Sequence, residues 1–576
     1  MAIPATWTLK HWWQARTWGG NVDQPGGVNS HLEFQSEQDI QSTNQIQGKL
    51  IYLSLALVFL VVLVWRFYQI QDVVLPLWVD SVHHVQIVIS FLEKGGIPET
   101  LEPQMPVPFY YHFAFHAMAA VFAFITRLNP QDAVLYLGQV LNAAVVFAVY
   151  RLGKALWGDW RRAVFSALLV AFVTQMPAYY VTWGRYTMLT GMVLLPLTMA
   201  SALDLVNKGV EKSRLFTLGL LTAGILLTHY FAAALLAIFF LIIGIQVLVG
   251  NVRSNNRPLW STWLPILLAA LLGLLAASPW LYRMWGYAQG RIDLVAIQPN
   301  LESIDELYFP EYLTYLWRLL GPDRNQAMLF AALPGLIIAL FRKRTRAFGV
   351  WTITLAVLSL PVGFYVAPFR PDHAAIVLFL PTGLLVSELL VSVIDWTSPQ
   401  KLTTIKIITV LVIFTALLGW GIFETRSVIN STTILATRDD LEALNWIEEN
   451  TLPGSHFGIN VTHWQYGSYR GVDGGWWITP LTGRTAWLPN GLYGLGNREF
   501  IQQVNSIAGQ ASQLSGCSPE FWELAQTEQL THIYLSANRG SMQPYQFVDC
   551  EGVELIFQNE SVYLYRIEYI INPDSD

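Results

Sequence analysis

Residues 133–179 read AVLYLGQVLNAAVVFAVYRLGKALWGDWRRAVFSALLVAFVTQMPAY. An uncharged apolar run, 133–150, leads into a short connection carrying Arg151, Lys154, Arg161 and Arg162, and a second apolar run, 163–179, follows. Each run approaches the roughly 20 residues a helix needs to cross the hydrocarbon of a bilayer. Basic residues collect in loops on the cytoplasmic side. The stretch therefore predicts two crossings in opposite directions, joined inside the cell.

The same pattern repeats outward from this pair. Apolar segments of about spanning length fall near 50–68, 189–206, 215–229, 231–249, 260–280, 328–341, 349–367, 374–394 and 403–423, which makes about eleven crossings with the first two. Lys208, Lys212 and Arg214, then Arg253 and Arg257, then Arg342, Lys343, Arg344 and Arg346, then Lys401 and Lys406 punctuate alternate connections. The intervening connections carry little basic charge, Arg185 in one and Arg370 in another, and so face outside. A further segment, 108–126, is ambiguous. If the polar N-terminus and Lys49 are cytoplasmic, the alternation leaves 108–126 lying along the outer interface. An outside N-terminus would instead give twelve spans.

Composition agrees with lipid as the main solvent: 53% of the 576 residues are hydrophobic and 13% charged. A net charge of −6 with no basic stripe excludes nucleic acid as a natural partner. Residues 1–48 are polar and lack the apolar core and small-residue site of a cleavable signal peptide. From about 437 the chain reads as soluble. Asp439 to Thr451 reads as a capped helix stopped by Leu452-Pro-Gly, β-rich runs occur at 456–462, 531–536, 553–558 and 561–568, and helical patterns lie near 497–514 and 519–529. The expected fold class is a polytopic α-helical membrane protein with a C-terminal extracytoplasmic α/β domain. Its parts are a cytoplasmic segment 1–48, a membrane domain 49–424 whose first external loop covers about 67–132, and a soluble domain 425–576. Cys517 and Cys550, the two cysteines, both fall in that last part. They suggest a disulfide made in an oxidising compartment, the alternative being two unrelated buried thiols. A bacterial inner membrane fits this layout, and an endoplasmic-reticulum topology obeys the same charge rule.

Polar chemistry gathers in the first external loop. Asp80 follows an apolar, interfacial stretch where a carboxylate is costly without a purpose. His83 and His84 lie three and four residues later, so on a helix the three share a face. His112 and His116 are also spaced i, i+4, and with His84 they form a possible set for a divalent metal ion, the alternative being histidines that hydrogen-bond neighbours. Arg185 and Arg370 sit at outer span ends, where a guanidinium either grips a phosphate or snorkels to the interface. His229, between two short spans, lines a cavity or marks a turn. Trp476 and Trp477 are candidates for stacking on a sugar, against the competing reading of a domain core.

The acid soon after the first span, the amphipathic outer segment, the loop Tyr150-Arg-Leu-Gly-Lys-Ala-Leu-Trp-Gly-Asp-Trp-Arg-Arg162, the stretch Met176-Pro-Ala-Tyr-Tyr180 and the helix Ala443-Leu-Asn-Trp-Ile-Glu-Glu-Asn-Thr451 together resemble the GT-C superfamily of membrane glycosyltransferases. Their layout is similar to oligosaccharyltransferase catalytic subunits and protein mannosyltransferases. The resemblance implies a polyprenyl-phosphate-linked sugar as donor, an acceptor on the outer face, and Asp80 in the position of the acid that contacts the acceptor or acts as base. The chain departs from that pattern in three places. Ser81 and two histidines follow Asp80 where many members carry a second acid, residues 179–188 contain no acid, and Gly475-Trp-Trp-Ile-Thr and His463-Trp-Gln-Tyr-Gly only echo the Trp-Trp-Asp-Tyr-Gly peptide motif. Transfer to asparagine is accordingly not implied. Competing readings are a lipid or polysaccharide transporter or flippase, and a non-catalytic protein on a degenerate transferase fold. Ionisable groups at helix ends rather than mid-span, and the lack of an inverted repeat, favour an enzyme over a transporter.

Overall fold

The computed structural model describes residues 30–254, 260–289, 309–320, 323–360, 370–396, 400–464 and 467–569. Most of the polar segment 1–48, the second half of the apolar run 349–367 and Phe369 lie outside the described residues or their described side chains. Two units separate, Met1–Leu57 and Val58–Asp576. The described part of the first is the beginning of a helix, α1 (Ser30–Gln69).

Eight helices among the described residues are long and apolar enough to cross a membrane. They are the apolar part of α1, then α4 (Pro130–Trp157), α6 (Tyr186–Lys208), α8 (Tyr230–Ser254), α9 (Trp260–Gln289), α11 (Asp323–Phe341), the pair α13 (Pro371–Ala375) and α14 (Phe379–Asp395), and α15 (Gln400–Thr425). The expected eleven crossings are therefore not all matched by full-length helices. Segment 163–179 is broken: α5 (Trp160–Leu168) passes into a π-turn at Leu169–Val173 and leaves helical geometry at Thr174. The carbonyls freed by the break are claimed by two buried arginines, Arg66 on Ala171 (2.6 Å) and Arg324 on Val173 (2.6 Å), which is how irregular backbone is tolerated at membrane depth. Segment 215–229 forms α7 (Lys212–Thr228), one turn shorter than most spans, and 349–367 begins as α12 (Arg346–Leu358).

The stretch expected to be the first external loop contains α2 (Trp78–Lys94) and α3 (Ala114–Thr126). At 13 residues α3 is about 20 Å long, short of a ~30 Å hydrocarbon core, so the ambiguous segment does not make a span by itself. A short amphipathic helix, α10 (Phe309–Leu319), precedes α11.

Basic residues and their partners meet at one end of the bundle. Asp159 caps α5 through the Arg161 amide. Arg162 donates to Glu388 (2.6 Å), Asp159 (2.7 Å) and Asp395 (3.1 Å), and Arg342 pairs with the other Glu388 oxygen. Asp204 takes Lys208 at 3.0 Å and Arg151 beside it. Arg344 donates to the Ala155 carbonyl at 3.0 Å. Since α6 carries Arg185 before its first residue and Lys208 at its last, about 34 Å away along 23 residues, Arg185 belongs to the opposite end.

After α15 the chain builds a strand-containing domain. The helix α16 (Arg438–Asn450) starts with a capping box in which Thr437 and Asp440 exchange hydrogen bonds. Five strands, β1 (His456–Ile459), β4 (Thr485–Ala486), β5 (His532–Ser536), β6 (Val553–Gln558) and β7 (Val562–Ile567), form a sheet ordered β4-β1-β5-β7-β6. The β1 pairings to β4 and β5 are parallel and the β7 pairings antiparallel. Strand β5 is buried at every position, as expected of a strand covered on both faces. A separate ribbon pairs β2 (Val461–His463) with β3 (Tyr469–Gly471). Three helices complete the domain: α17 (Ile478–Thr482), α18 (Arg498–Ala511) and α19 (Pro519–Thr527). Cys517 and Cys550 are joined as a disulfide.

Candidate active site at the end of the bundle opposite the basic loops

The chain leaves α1 and turns through residues 70–77 to start α2. Trp78 adopts a left-handed φ of 67°, a conformation that costs a bulky residue on the order of 1–2 kcal/mol. Packing holds it there: the ring meets Trp464 edge-on at 5.2 Å, and the Arg470 guanidinium lies 4.7 Å from Trp78 and 5.2 Å from Trp464. The strand-containing domain thus grips the start of α2. Two residues on, Asp80 lies half-buried in the first helical turn, where the helix dipole favours a carboxylate. Burial nevertheless raises its carboxyl to about 6, against the opposing pull of Arg185.

A glycine brings Arg185 there. Gly184 has φ +63, and a Cβ on it would collide with Ser81 and stand 2.7 Å from the Leu77 carbonyl. The turn Ala178–Trp183 therefore docks directly on the first turn of α2, with Arg185 next in the chain. Its guanidinium lies 5.0 Å from the Trp183 ring and acts electrostatically on Asp80, Tyr111 and His229. Arg370, the other expected phosphate ligand, forks onto Asp372 at 3.0 Å through both Nε and Nη2. No such ion pair occupies Arg185 among the described residues, so Arg185 is better disposed to receive an anion than Arg370.

The histidines collect around Tyr111. His83 and His84 share α2 with Asp80 as the spacing predicts, and their rings lie 4.6 Å apart. His84 Nδ1 and His116 Nε2 are 2.8 Å apart, Tyr111 stacks 3.9 Å from His112, and His112 is 5.0 Å from His229. His229 thus both ends α7 and joins the cluster. One expectation is corrected here. His112 lies just before Phe113, the N-cap of α3, and only His116 is inside the helix. The metal set His84, His112 and His116 is not assembled: the 2.8 Å spacing of His84 and His116 is that of a hydrogen bond, and among the described residues no group of three or more His, Cys, Asp or Glu side chains could hold a metal ion. Burial holds the His83 ring neutral, its pKa lowered to about 3. Both ring nitrogens of His83 and of His112 are buried without a hydrogen-bond partner among the described residues.

Trp476 and Trp477 need correction as well. They are 2% and 0% exposed in the strand-containing domain, with the Trp476 indole N–H donated to the Pro489 carbonyl at 3.0 Å. Neither has a free ring face to offer a sugar, so the core reading holds. The residues missed by sequence reasoning are Tyr111, at the hub of the histidines, and Asp372, which fixes Arg370. Asp372 was readable as the acid of Arg370-Pro-Asp-His373, whereas nothing local marked Tyr111. A cavity of about 500 Å³ opens nearby between the residue 72–77 turn and residues 434–439. Leu77 lines it and Asp80 does not.

A family model described as a family of unknown function, DUF6541, matches residues 5–304. The chain belongs to the DUF6541 family. Among curated proteins none matches this DUF6541 chain. Solved structures do. Arabinofuranosyltransferase AftD from Mycobacteria aligns with a TM-score of 0.57 at 13% identity, over 89% of this chain and 40% of that one. ArnT from Cupriavidus metallidurans, solved with undecaprenyl phosphate bound, aligns with a TM-score of 0.54 at 12% identity, over 88% of this chain and 97% of that one. The Archaeoglobus fulgidus oligosaccharyltransferase in its apo form gives 0.52 at 13% identity, over 83% and 69%, and the same protein has been solved with a dolichol-phosphate. The DUF6541 chain thus has the GT-C-like fold expected from its sequence, in a multi-pass membrane protein with a C-terminal strand-containing domain.

Proposed function

We propose that the protein is a membrane glycosyltransferase that moves a sugar from a polyprenyl-phosphate-linked donor to an acceptor hydroxyl on the extracytoplasmic face. The observation that carries this reading is the juxtaposition of Asp80, its carboxyl raised to about 6, with the Arg185 guanidinium at the end of the bundle opposite the basic loops. The fold relatives support the donor class, because ArnT and the oligosaccharyltransferase have been solved with undecaprenyl phosphate and a dolichol-phosphate.

In this mechanism Asp80 takes the proton of the acceptor hydroxyl as its oxygen bonds to the anomeric carbon. The bond from that carbon to the phosphate oxygen breaks, and the lipid phosphate leaves as an anion. A phosphate is a stable leaving group and needs cationic contacts rather than a strong acid, a role that falls to Arg185, with Arg370 beside Asp372 as a second contact. The neutral rings of His83 and His84 orient the acceptor, and His112, His116 and His229 line the same neighbourhood. The basic loops face the cytoplasm and the strand-containing domain faces outside, with 1–48, 49–424 and 425–576 as the three parts of the chain.

Purified protein incubated with radiolabelled polyprenyl-phosphate sugars and a membrane extract as acceptor source tests the reading. Label should leave the lipid in the wild type and stay on it in Asp80→Asn. Equal release by the two would remove Asp80 from the chemistry.

A further inference from the structure

We infer that the 500 Å³ cavity beside the start of α2 is a binding site for a neutral glycan, the part of the acceptor beyond its reacting sugar. Its size lies within the range of small-molecule sites. Part of its lining is apolar, Val73, Leu77 and Ala436 among others, and suits the C–H face of a sugar ring. The lining also includes Asp72, Arg438 and Asp439. Asp439 spends one oxygen on Ser561 at 2.6 Å, while Asp72 and Arg438 are exposed and make no ion pair among the described residues.

The composition of these polar groups selects the ligand. Hydroxyl groups donate and accept, and so use carboxylates and a guanidinium together. An anion would face two carboxylates against one guanidinium, and a cation would leave the guanidinium without a partner. A neutral polyhydroxylated molecule meets neither cost. Position then links the cavity to the chemistry: Leu77, in its apolar lining, caps α2 three residues before Asp80, at most roughly 10 Å along the chain. A glycan seated in the cavity therefore presents its next residue to Asp80. This inference rests on the transferase reading for the meaning of the occupant but not for its chemical class.

The test is binding of a printed array of neutral, sialylated and amino-sugar oligosaccharides to the full-length protein in nanodiscs, followed by titration of the strongest binder. Neutral glycans should bind, and at least tenfold more weakly to Asp72→Asn and to Arg438→Ala. Both variants alter exposed side chains, and their thermal melting should match the wild type. Binding of no glycan, preference for the anionic or cationic ones, or unchanged affinity in both cavity variants would overturn the proposal. The two readings separate: glycan binding without sugar transfer rejects the transferase and keeps the cavity, whereas transfer insensitive to Asp72 and Arg438 rejects the cavity and keeps the transferase.

Discussion

The two ends of the helical bundle treat charge in opposite ways. At the basic end, Glu388 is wholly buried yet accepts from Arg162 at 2.6 Å, from Arg342 and from Ser392 at 3.0 Å, and Arg162 spreads its remaining donors over Asp159 and Asp395. Every buried charge there has an answering group, and the network ties α5 to α14. At the opposite end, Asp80 and Arg185 interact without a close ion pair, and both nitrogens of His83 and His112 lack partners among the described residues. A closed network stabilises a fold. An open one stores interactions for something that has yet to arrive.

The sharpest test of that contrast is Glu388→Ala. It removes the partner that Arg162 and Arg342 share, while Arg162 keeps Asp159 and Asp395 and Arg342 is 47% exposed, and should lower stability by about 1.5–3 kcal/mol, read as a drop in the thermal midpoint in detergent. A change below about 1 kcal/mol would mean the basic end is not structural. Asp80→Asn should show the reverse pattern, a loss of sugar transfer of roughly 10²–10⁴-fold with the midpoint unchanged or raised, since burial already disfavours its charge. Loss of folding in that variant would erase the distinction between the ends.

The pH profile refines it further. As a base Asp80 must be ionised, so transfer should rise with pH up to about 6 and level off above. Arg185→Gln removes the charge that holds the carboxyl down and should move this acid limb to higher pH; a limb that stays in place would separate Arg185 from Asp80. The smallest effect belongs to the strand-containing domain. Asp473 is raised to about 7, by burial first and then by the Asp440 charge. A raised acid contributes stability below its ordinary pKa near 4 and loses it as pH climbs to 7. Asp473→Asn should therefore flatten the decline in stability between pH 4 and 7, as followed by chemical denaturation.

Much of the molecule was legible because the deciding signals are local. A run of apolar residues must sit in lipid wherever it occurs, so most crossings were placed by hydropathy alone. Asp439 to Thr451 read as a capped helix where α16 lies, and β-rich runs located β5, β6 and β7. The break at Leu169–Val173 was not legible, because it depends on Arg66 and Arg324 arriving from distant helices. Trp476 and Trp477 misled for a similar reason: a tandem of tryptophans reads alike whether it faces a ligand or a core.

The sequence by itself determined which segments are apolar enough to favour lipid, which connections carry basic charge, and that Asp80, His83 and His84 fall on one helix, since each follows from spacing and solvation along the chain. Only the tertiary structure decided that Arg185 rather than Arg370 carries the unengaged guanidinium near Asp80, that His112 joins the cluster from outside α3, and that a cavity opens beside Leu77. Those outcomes depend on close approaches between remote segments, such as Gly184 on Ser81, which sequence spacing does not encode.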